Sequence, residues 1–317
     1  MVLRTPWAYG LLQDAPATTT NPKLNVPSLL PIINPEKPTR DITHCTSGAS
    51  NLTSRYPDPV YEDPKILSEY LLFHYGTAEE ILPGNEGPRD ALFFPVRSVT
   101  ELLPPDQAQV NRALDVGCAV GRSAFELARV AGKVHAVDFS RAFIEAAQGV
   151  AAERAISFSY AVEGEITQPS TARVPEGIDP HRIEFRVGDA MNLPVEWSNF
   201  DVVHAANLIC RLPEPRRFLD RLPDLVAPGG TLLLCTPWSW LETFTPRDKW
   251  LGGHAGGPHS FDALQEILSP YFELEFRKDL PFLIREHARK YQWSLADGTR
   301  WRRVAGKADG PPSTPIH

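Results

Sequence analysis

The sequence predicts an α/β fold: a mostly parallel seven-stranded sheet with helices on both faces and an antiparallel C-terminal hairpin. Three observations carry this. The run Ala113-Leu-Asp-Val-Gly-Cys-Ala-Val-Gly121, followed by Lys133-Val-His-Ala-Val-Asp138, is an apolar strand that breaks into a glycine turn, enters a helix and reaches a second strand ending in an acid. Short apolar strands then alternate with helical stretches as far as Thr236, the pattern of βαβ units. Finally, Asp297-Gly298, with Thr299-Arg-Trp-Arg-Arg303 behind it, suggests a closing hairpin turn.

At 317 residues the chain has room for one large domain with extensions. A net charge of -7 argues against a nucleic-acid partner, because phosphate binding needs a concentrated basic face. No apolar run approaches a membrane span, so no membrane partner is expected, and Met1-Val-Leu-Arg-Thr-Pro6 lacks the apolar core of a signal peptide. Cys45, Cys118, Cys210 and Cys235 have no C-x-x-C spacing and read as free thiols in a reducing compartment, so a cytoplasmic location is expected. No metal site is expected.

Residues 1–55 are rich in Pro, Thr, Asn and Ser and are expected to form a disordered arm. Residues 56–304 are expected to fold as one domain, with a helical cap over 56–110 and a core over 111–304. In the cap, Asp63 is an N-cap with Pro64 at the first helical position and Gly76 as the stop. Ile66, Leu67, Tyr70, Leu71 and His74 share one face of that helix, which either caps a ligand pocket or simply covers the sheet. A second helical stretch, from about Pro88 to Leu103, is interrupted by Pro95 and carries Arg97.

In the core, a helix from Arg122 to Ala131 follows the glycine turn, and Ser140 caps a helix reaching about Glu153. Ile156–Val162 alternates like a strand. With the polar stretch to His181 it makes an inserted hairpin or loop over about 156–181, expected to project near the carboxyl ends of the strands. Arg182–Val187, Phe200–Asn207 and Thr231–Thr236 are further strands, with a helix from about Glu214 to Val226. Pro237–His254 is dense in aromatics without regular periodicity, and it either packs over the sheet end or lines a substrate pocket. A helix from about Ser260 to Leu268 precedes strands near Phe272–Phe276 and Lys290–Ala296, and residues 305–317 form a frayed tail.

The glycine turn fits a nucleotide-type cofactor site, where Gly117 and Gly121 let backbone approach a ligand and Asp138 can accept two ribose hydroxyls. The G-x-x-x-G spacing, with Ala119 in the middle, fails the G-x-G-x-x-G dinucleotide pattern. It resembles motif I of the Rossmann-like class I S-adenosylmethionine-dependent methyltransferases. The resemblance implies that S-adenosyl-L-methionine is the cofactor and that Asp115 opens the loop. It also implies that Gly117, Cys118, Ala119 and Gly121 meet the methionine part. Asp138 and Phe139 would then meet the ribose, and Gly188, Asp189, Ala190 and Asn207 would complete the site, with Asp189 on the adenine amino group.

Several blocks resemble a narrower family. Ser68-Glu-Tyr-Leu-Leu-Phe-His-Tyr-Gly76, Asp115–Arg129, Asp138-Phe-Ser-Arg141, Ala206-Asn-Leu-Ile-Cys-Arg-Leu-Pro213 and Trp250-Leu-Gly-Gly253 are similar to the methyltransferase module of ovothiol biosynthesis. That module methylates an imidazole nitrogen of a histidine with a thiol on its ring, 4-mercaptohistidine or 5-thiohistidine. The resemblance implies a partner that makes the carbon–sulfur bond. Methylation of another small metabolite, or a non-catalytic cofactor-binding regulatory subunit, are the alternatives.

His74, Asn207 and His254 are the candidate catalytic residues, and Tyr70, His74, Arg97, Arg211, Trp238 and Trp250 the candidate substrate contacts. Arg97 and Arg211 are offered because guanidinium pairs bidentately with carboxylate, although surface arginine is the commoner use. A neutral imidazole already has a free lone pair near pH 7, so His74, His204 or His254 is expected to orient the acceptor more than to deprotonate it. Cys118 reads as a small residue tolerated in the loop, with a reactive thiol as the alternative.

Overall fold

The computed structural model describes residues 60–304. The predicted arm, the tail and Cys45 lie outside the described residues. In chain order the elements are α1 (Pro64–Tyr75), α2 (Ala78–Ile81), α3 (Phe94–Thr100), β1 (Val110–Val116), α4 (Arg122–Leu127), β2 (Ala131–Asp138), α5 (Arg141–Glu153), β3 (Ala155–Glu163) and β4 (Ile166–Arg173). There follow β5 (Ile183–Val187), β6 (Phe200–Ala206), α6 (Pro215–Leu225), β7 (Val226–Thr236), α7 (Ser260–Leu268), β8 (Phe272–His287) and β9 (Lys290–Arg303).

The main sheet has seven strands in the order β5-β2-β1-β6-β7-β9-β8. The first five are mutually parallel, and β9 runs antiparallel to both its neighbours. Successive residues of the parallel strands serve opposite faces. Ala113, Val134, Ala136, Val202 and Leu233 pack with α4, α5 and the cap helices, while Leu114, Val137, Val203, Leu232 and Leu234 pack with α6 and α7. Burial on both faces is why these strands read as continuous apolar runs. The predicted Rossmann-like architecture is present. Among the described residues no helix is long and apolar enough to cross a membrane.

Helix α1 starts as its sequence dictates, with the Asp63 side chain accepting from Lys65 N at 2.8 Å and Pro64 inside the first turn. Gly76 ends it for another reason than a left-handed turn, since its φ is -62°. A Cβ there would lie 2.6 Å from the Leu72 carbonyl oxygen, so only glycine fits the exit. The stretch from Pro88 to Leu103 is not one helix. It is a 3-10 turn at Arg89–Ala91 followed by α3, with Phe93 left-handed at the junction and Pro95 in the first turn. Proline is disfavoured in a helix interior but suits its start.

Two further expectations are corrected. The insertion is a β3–β4 hairpin turned by Gly164, packed against α1, α5 and β8. Tyr160 is buried with Leu72, Ile81, Leu92 and Leu283, so the hairpin buttresses the cap rather than projecting over a ligand site. Asp297-Gly298 is not a turn either. Both residues lie within β9, where Gly298 pairs with Cys235 on β7 and Lys278 on β8. A Cβ on Gly298 would lie 2.6 Å from the Leu280 side chain, so this glycine serves close approach. The hairpin turns instead between His287 and Lys290.

Candidate active site

The carboxyl ends of the parallel strands open on one cavity of about 390 Å³. Its sheet side is built from Val116 and Gly117 after β1, Val137 and Asp138 on β2, Gly188 after β5, and Ala206 and Asn207 after β6. Ligands of open α/β sheets bind at this edge.

Backbone geometry makes the donor side. Gly117 has φ +74° and Gly121 +90°, both in the left-handed region where side chains are strained. Ala119 is also left-handed, at φ 47°. Gly117 and Ala119 line the cavity; Gly121 works behind it. A Cβ on Gly121 would stand 2.7 Å from the Phe185 ring, so this glycine lets α4 start close against β5. The Asp138 carboxylate closes the loop, its Oδ2 accepting from Ala119 N and its Oδ1 from Ser140 N, both at 2.9 Å. Burial pushes the Asp138 carboxyl up to about 6, against the pull of those two N–H groups.

The opposite wall is aromatic and comes largely from the cap. Tyr61, Tyr70, Phe73, Phe94, Phe143 and Phe244 face the cavity. Tyr70 packs on Phe143 with ring centroids 4.7 Å apart, and on His74 at 6.1 Å. His74 is 9 % exposed and its Nδ1 has no hydrogen-bond partner. Burial, with the Arg122 guanidinium adding to it, pushes His74 down to about 3, so its ring is neutral across the physiological range. Asn207, left-handed at φ 54°, also holds a buried Oδ1 without a partner. His74 Nδ1 and Asn207 Oδ1, two unpartnered polar atoms on residues lining one cavity, are places where a ligand could complete the hydrogen bonding. Arg211 is the cation on this wall. It donates to Ser239 O at 2.9 Å and to Cys210 O at 3.0 Å, and lies 5.0 Å over the Phe244 ring.

Of the residues predicted from sequence, Gly117, Ala119, Asp138, Phe139, Gly188, Ala190, Asn207, Tyr70, His74 and Arg211 line this cavity together. The others stand elsewhere. Asp115 is 1 % exposed, and both its oxygens are engaged, by His204 and Ser123. Cys118 is fully buried, and burial raises its thiol well above the ordinary value, so the small-residue reading holds. The Asp189 side chain accepts from Met191 N at 2.8 Å and does not line the cavity, although its neighbours do.

Arg97 is spent on Glu101 and on the Pro281 carbonyl at 3.0 Å, tying α3 to β8. Trp238 and Trp250 line a separate cavity of about 660 Å³ beside α7 and β9. There the Trp238 Nε1–H donates to Asp297, which also takes both Arg277 donors. His254 stacks on Trp250 at 5.6 Å, away from the cofactor loop's cavity. The tryptophans of the aromatic loop therefore lie over the sheet end, whereas its Phe244 lines the cofactor-loop cavity.

Sequence reading missed Tyr61, Glu62, Ser98, Ser123 and Ser140. Phe94 and Ser98 are four apart on α3, a shared-face signal that was legible. Glu62 was not, because its carboxylate reaches Arg141 N at 2.8 Å and so caps α5 across 79 residues of sequence. Among the described residues no group of His, Cys, Asp and Glu is placed to hold a metal ion.

Comparison with known proteins agrees with this geometry. Residues 114–234 match the family model described as a methyltransferase domain. Methyltransferase str2 of Strobilurus tenacellus is 37% identical over 93 residues, which is 25% of this chain and 32% of that protein. The probable chloroplastic tocopherol O-methyltransferase of Oryza sativa subsp. japonica is 26% identical over 227 residues, 67% of this chain and 54% of that protein. The chain thus spans from about a third to about half of the length of these curated relatives. Among solved structures, the N-methyltransferase NodS from Bradyrhizobium japonicum with S-adenosyl-L-homocysteine has a TM-score of 0.42 at 18% identity, covering 73% of this chain and 98% of that one. Residues 114–234, which hold the glycine loop and the parallel strands, are thus similar to a methyltransferase domain.

Proposed function

We propose that the protein transfers a methyl group from S-adenosylmethionine to an imidazole nitrogen of 4-mercaptohistidine (5-thiohistidine), giving ovothiol. One observation supports this above others. Two of the blocks that resemble the ovothiol methyltransferase module, one in the cap and one after β6, supply a wall of the cavity. Tyr70 and His74 come from the first, and Asn207, Leu208, Arg211 and Leu212 from the second.

The residues present fit the cofactor. Gly117 and Gly188 line the cavity as bare backbone, Asp138 offers a carboxylate, and Asn207 holds an unpartnered oxygen. When bound, the cofactor supplies an already activated methyl group on a sulfonium. Asp138 would accept the ribose hydroxyls, and the Gly117–Ala119 backbone would cradle the amino-acid part. What remains for the protein is alignment of nitrogen, methyl carbon and sulfur, and exclusion of water, which contribute several kcal/mol. The aromatic wall supplies flat surfaces for an imidazole ring, and neutral His74 presents a ring nitrogen to it. Arg211 is placed to receive the acceptor's carboxylate. A separate protein would make the carbon–sulfur bond of the acceptor.

A second reading, methylation of another small planar metabolite, is favoured by the same aromatic lining. Mass spectrometry after incubation with labelled donor and 5-thiohistidine separates the two. Label on a ring nitrogen supports the proposal; label on sulfur, or none, refutes it. Turnover by the purified chain alone excludes a non-catalytic regulatory subunit.

A further inference from the structure

A chain of buried polar side chains runs behind the cavity wall. Asp115 and His204 are register partners on β1 and β6, and each is 1 % exposed. Asp115 Oδ1 lies 2.7 Å from His204 Nδ1, and Asp115 Oδ2 accepts from Ser123 Oγ at 2.7 Å. On the other side of the ring, His204 Nε2 lies 3.1 Å from Ser98 Oγ on α3. Ser98 and Ser123 line the cavity, whereas Asp115 and His204 do not. The chain therefore reaches the cavity wall at both ends, at Ser123 and at Ser98, the latter 0 % exposed.

Packing does not account for it. Desolvating a carboxylate and an imidazole costs several kcal/mol per charge, and apolar side chains of equal volume would fill the space as stably. The chemistry of the groups also sets a direction. A carboxylate only accepts, so Nδ1 carries the ring proton and Nε2 presents its lone pair to the Ser98 hydroxyl. Ser98 has a second outlet, the Pro95 carbonyl at 3.3 Å, but that oxygen cannot take the proton away. Strand β7 adds only Leu233 opposite His204. The other ionisable groups near Asp115 are Cys118 and Asp138, while His74 and Arg211 stand on the cavity wall.

We propose that Ser98, His204 and Asp115 form a proton relay that neutralises the acceptor as it is methylated. This rests on the methyltransferase reading above. The attacking nitrogen uses its own lone pair to form the N–C bond, the S–C bond breaks with its electron pair going to sulfur, and the ring gains a positive charge. As the N–C bond forms, the other ring nitrogen loses its N–H proton to Ser98 Oγ while the Ser98 proton moves to His204 Nε2. Asp115 holds the resulting imidazolium, and the proton leaves to water with the product. Ser98 is the catalytic group, and His204 and Asp115 are positioning residues that act through it. His204 thereby accepts a proton, where the sequence alone pointed to an orienting role.

The test uses Ser98→Ala, Ser98→Thr and His204→Asn, the last keeping an N–H for Asp115. With 5-thiohistidine in single turnover, Ser98→Ala and His204→Asn should lose about 10²-fold in transfer rate. Cofactor affinity should stay within about threefold in both, and Ser98→Thr should recover most of the rate. A wild-type rate in Ser98→Ala, or a loss that follows thermal stability and is not recovered in Ser98→Thr, overturns the relay. Separately, ¹⁵N NMR of the ring nitrogens in the S-adenosylhomocysteine complex should show His204 protonated at Nδ1 alone; an Nε2–H tautomer overturns the relay. If wild type leaves 5-thiohistidine unmethylated, the functional reading fails by itself, and the tautomer decides the relay.

Discussion

Replacing Asp138 with asparagine separates the two duties its carboxylate performs. Each oxygen accepts from one backbone N–H, of Ala119 and of Ser140, at 2.9 Å. An amide puts an NH₂ against one of those donors in either rotamer, a mismatch of about 1–3 kcal/mol. At roughly 2–4 °C per kcal/mol for a domain of this size, the melting temperature should fall by roughly 2–12 °C. Each charge-assisted bond to a ribose hydroxyl contributes about 1.5–3 kcal/mol, so loss of one should lower cofactor affinity by at least tenfold and about fiftyfold at mid-range. The wild-type protein should show a matching pH dependence. With the carboxyl at about 6, affinity should drop about tenfold for each pH unit below that point, because the neutral acid no longer accepts from both hydroxyls. Folding stability moves the other way. A folded pKa raised from 3.8 means the native state holds the proton more tightly, so this group's contribution is present below pH 3.8 and is lost as pH rises through about 6. Calorimetric titration with S-adenosylhomocysteine at pH 5, 6, 7 and 8 reads the binding limb, and thermal melts of the free protein read the other. Wild-type affinity that is flat from pH 5 to 8, or full affinity in Asp138→Asn, would refute the assignment.

Gly121→Ala should cost about 2–5 kcal/mol and lower the melting temperature by roughly 5–20 °C, since its Cβ meets the Phe185 ring at 2.7 Å with φ +90°. A melt unchanged to within 2–3 °C would mean that α4 can shift. Arg211→Met should raise the KM for 5-thiohistidine at least tenfold, while Arg97→Met, which loses ties to Glu101, Leu92 and Pro281, should alter stability and leave KM unchanged. Equal KM values in the two variants would remove Arg211 from the acceptor site. His74→Gln should leave the shape of the pH–rate profile unchanged above pH 5, because the wild-type ring sits at about 3 and titrates outside that window. Loss of a limb near neutrality would show His74 taking a proton. Trp250→Phe, in the separate cavity, should change the transfer rate by less than about threefold.

The core of the fold was legible because its signals are local. An apolar strand, a glycine turn, a helix cap and an acid at a strand end each depend on a few neighbouring residues, and Gly117, Ser140 and Asp138 stand where their types require. The failures lie where sequence spacing meets tertiary packing. Asp297-Gly298 carries the strongest two-residue turn signal in the C-terminal region, yet β7 and β8 flank it and Leu280 fills the space beside it. The true turn between His287 and Lys290 contains only Ala288 and Arg289, with no glycine, asparagine or proline to announce it. Arg97, Trp238, Trp250 and His254 were chosen for chemistry, and chemistry does not report direction. Each side chain found a partner on β8, β9 or a neighbouring ring before it could reach the cavity.

The same distinction explains how the site divides its work. The donor loop belongs to the sheet, and its glycines and Asp138 would serve any acceptor. The acceptor wall belongs to the cap, whose position is set at the loop itself: Glu62 caps α5, Ser140 Oγ donates to Tyr61 O at 2.9 Å, and the Tyr75 hydroxyl donates to Val120 O at 2.7 Å. The Ser98–His204–Asp115 chain is a fourth tie, and it too ends beside the loop. Tyr70 and His74 therefore hang from the scaffold that shapes the donor side, so the gap between the two reacting groups is fixed by these few bonds. Displacements of about 1 Å can cost a hundredfold in rate. On the proposed reading, specificity resides in side chains of the cap and of the segment after β6, and alignment in the bonds that pin the cap to a loop of generic sequence.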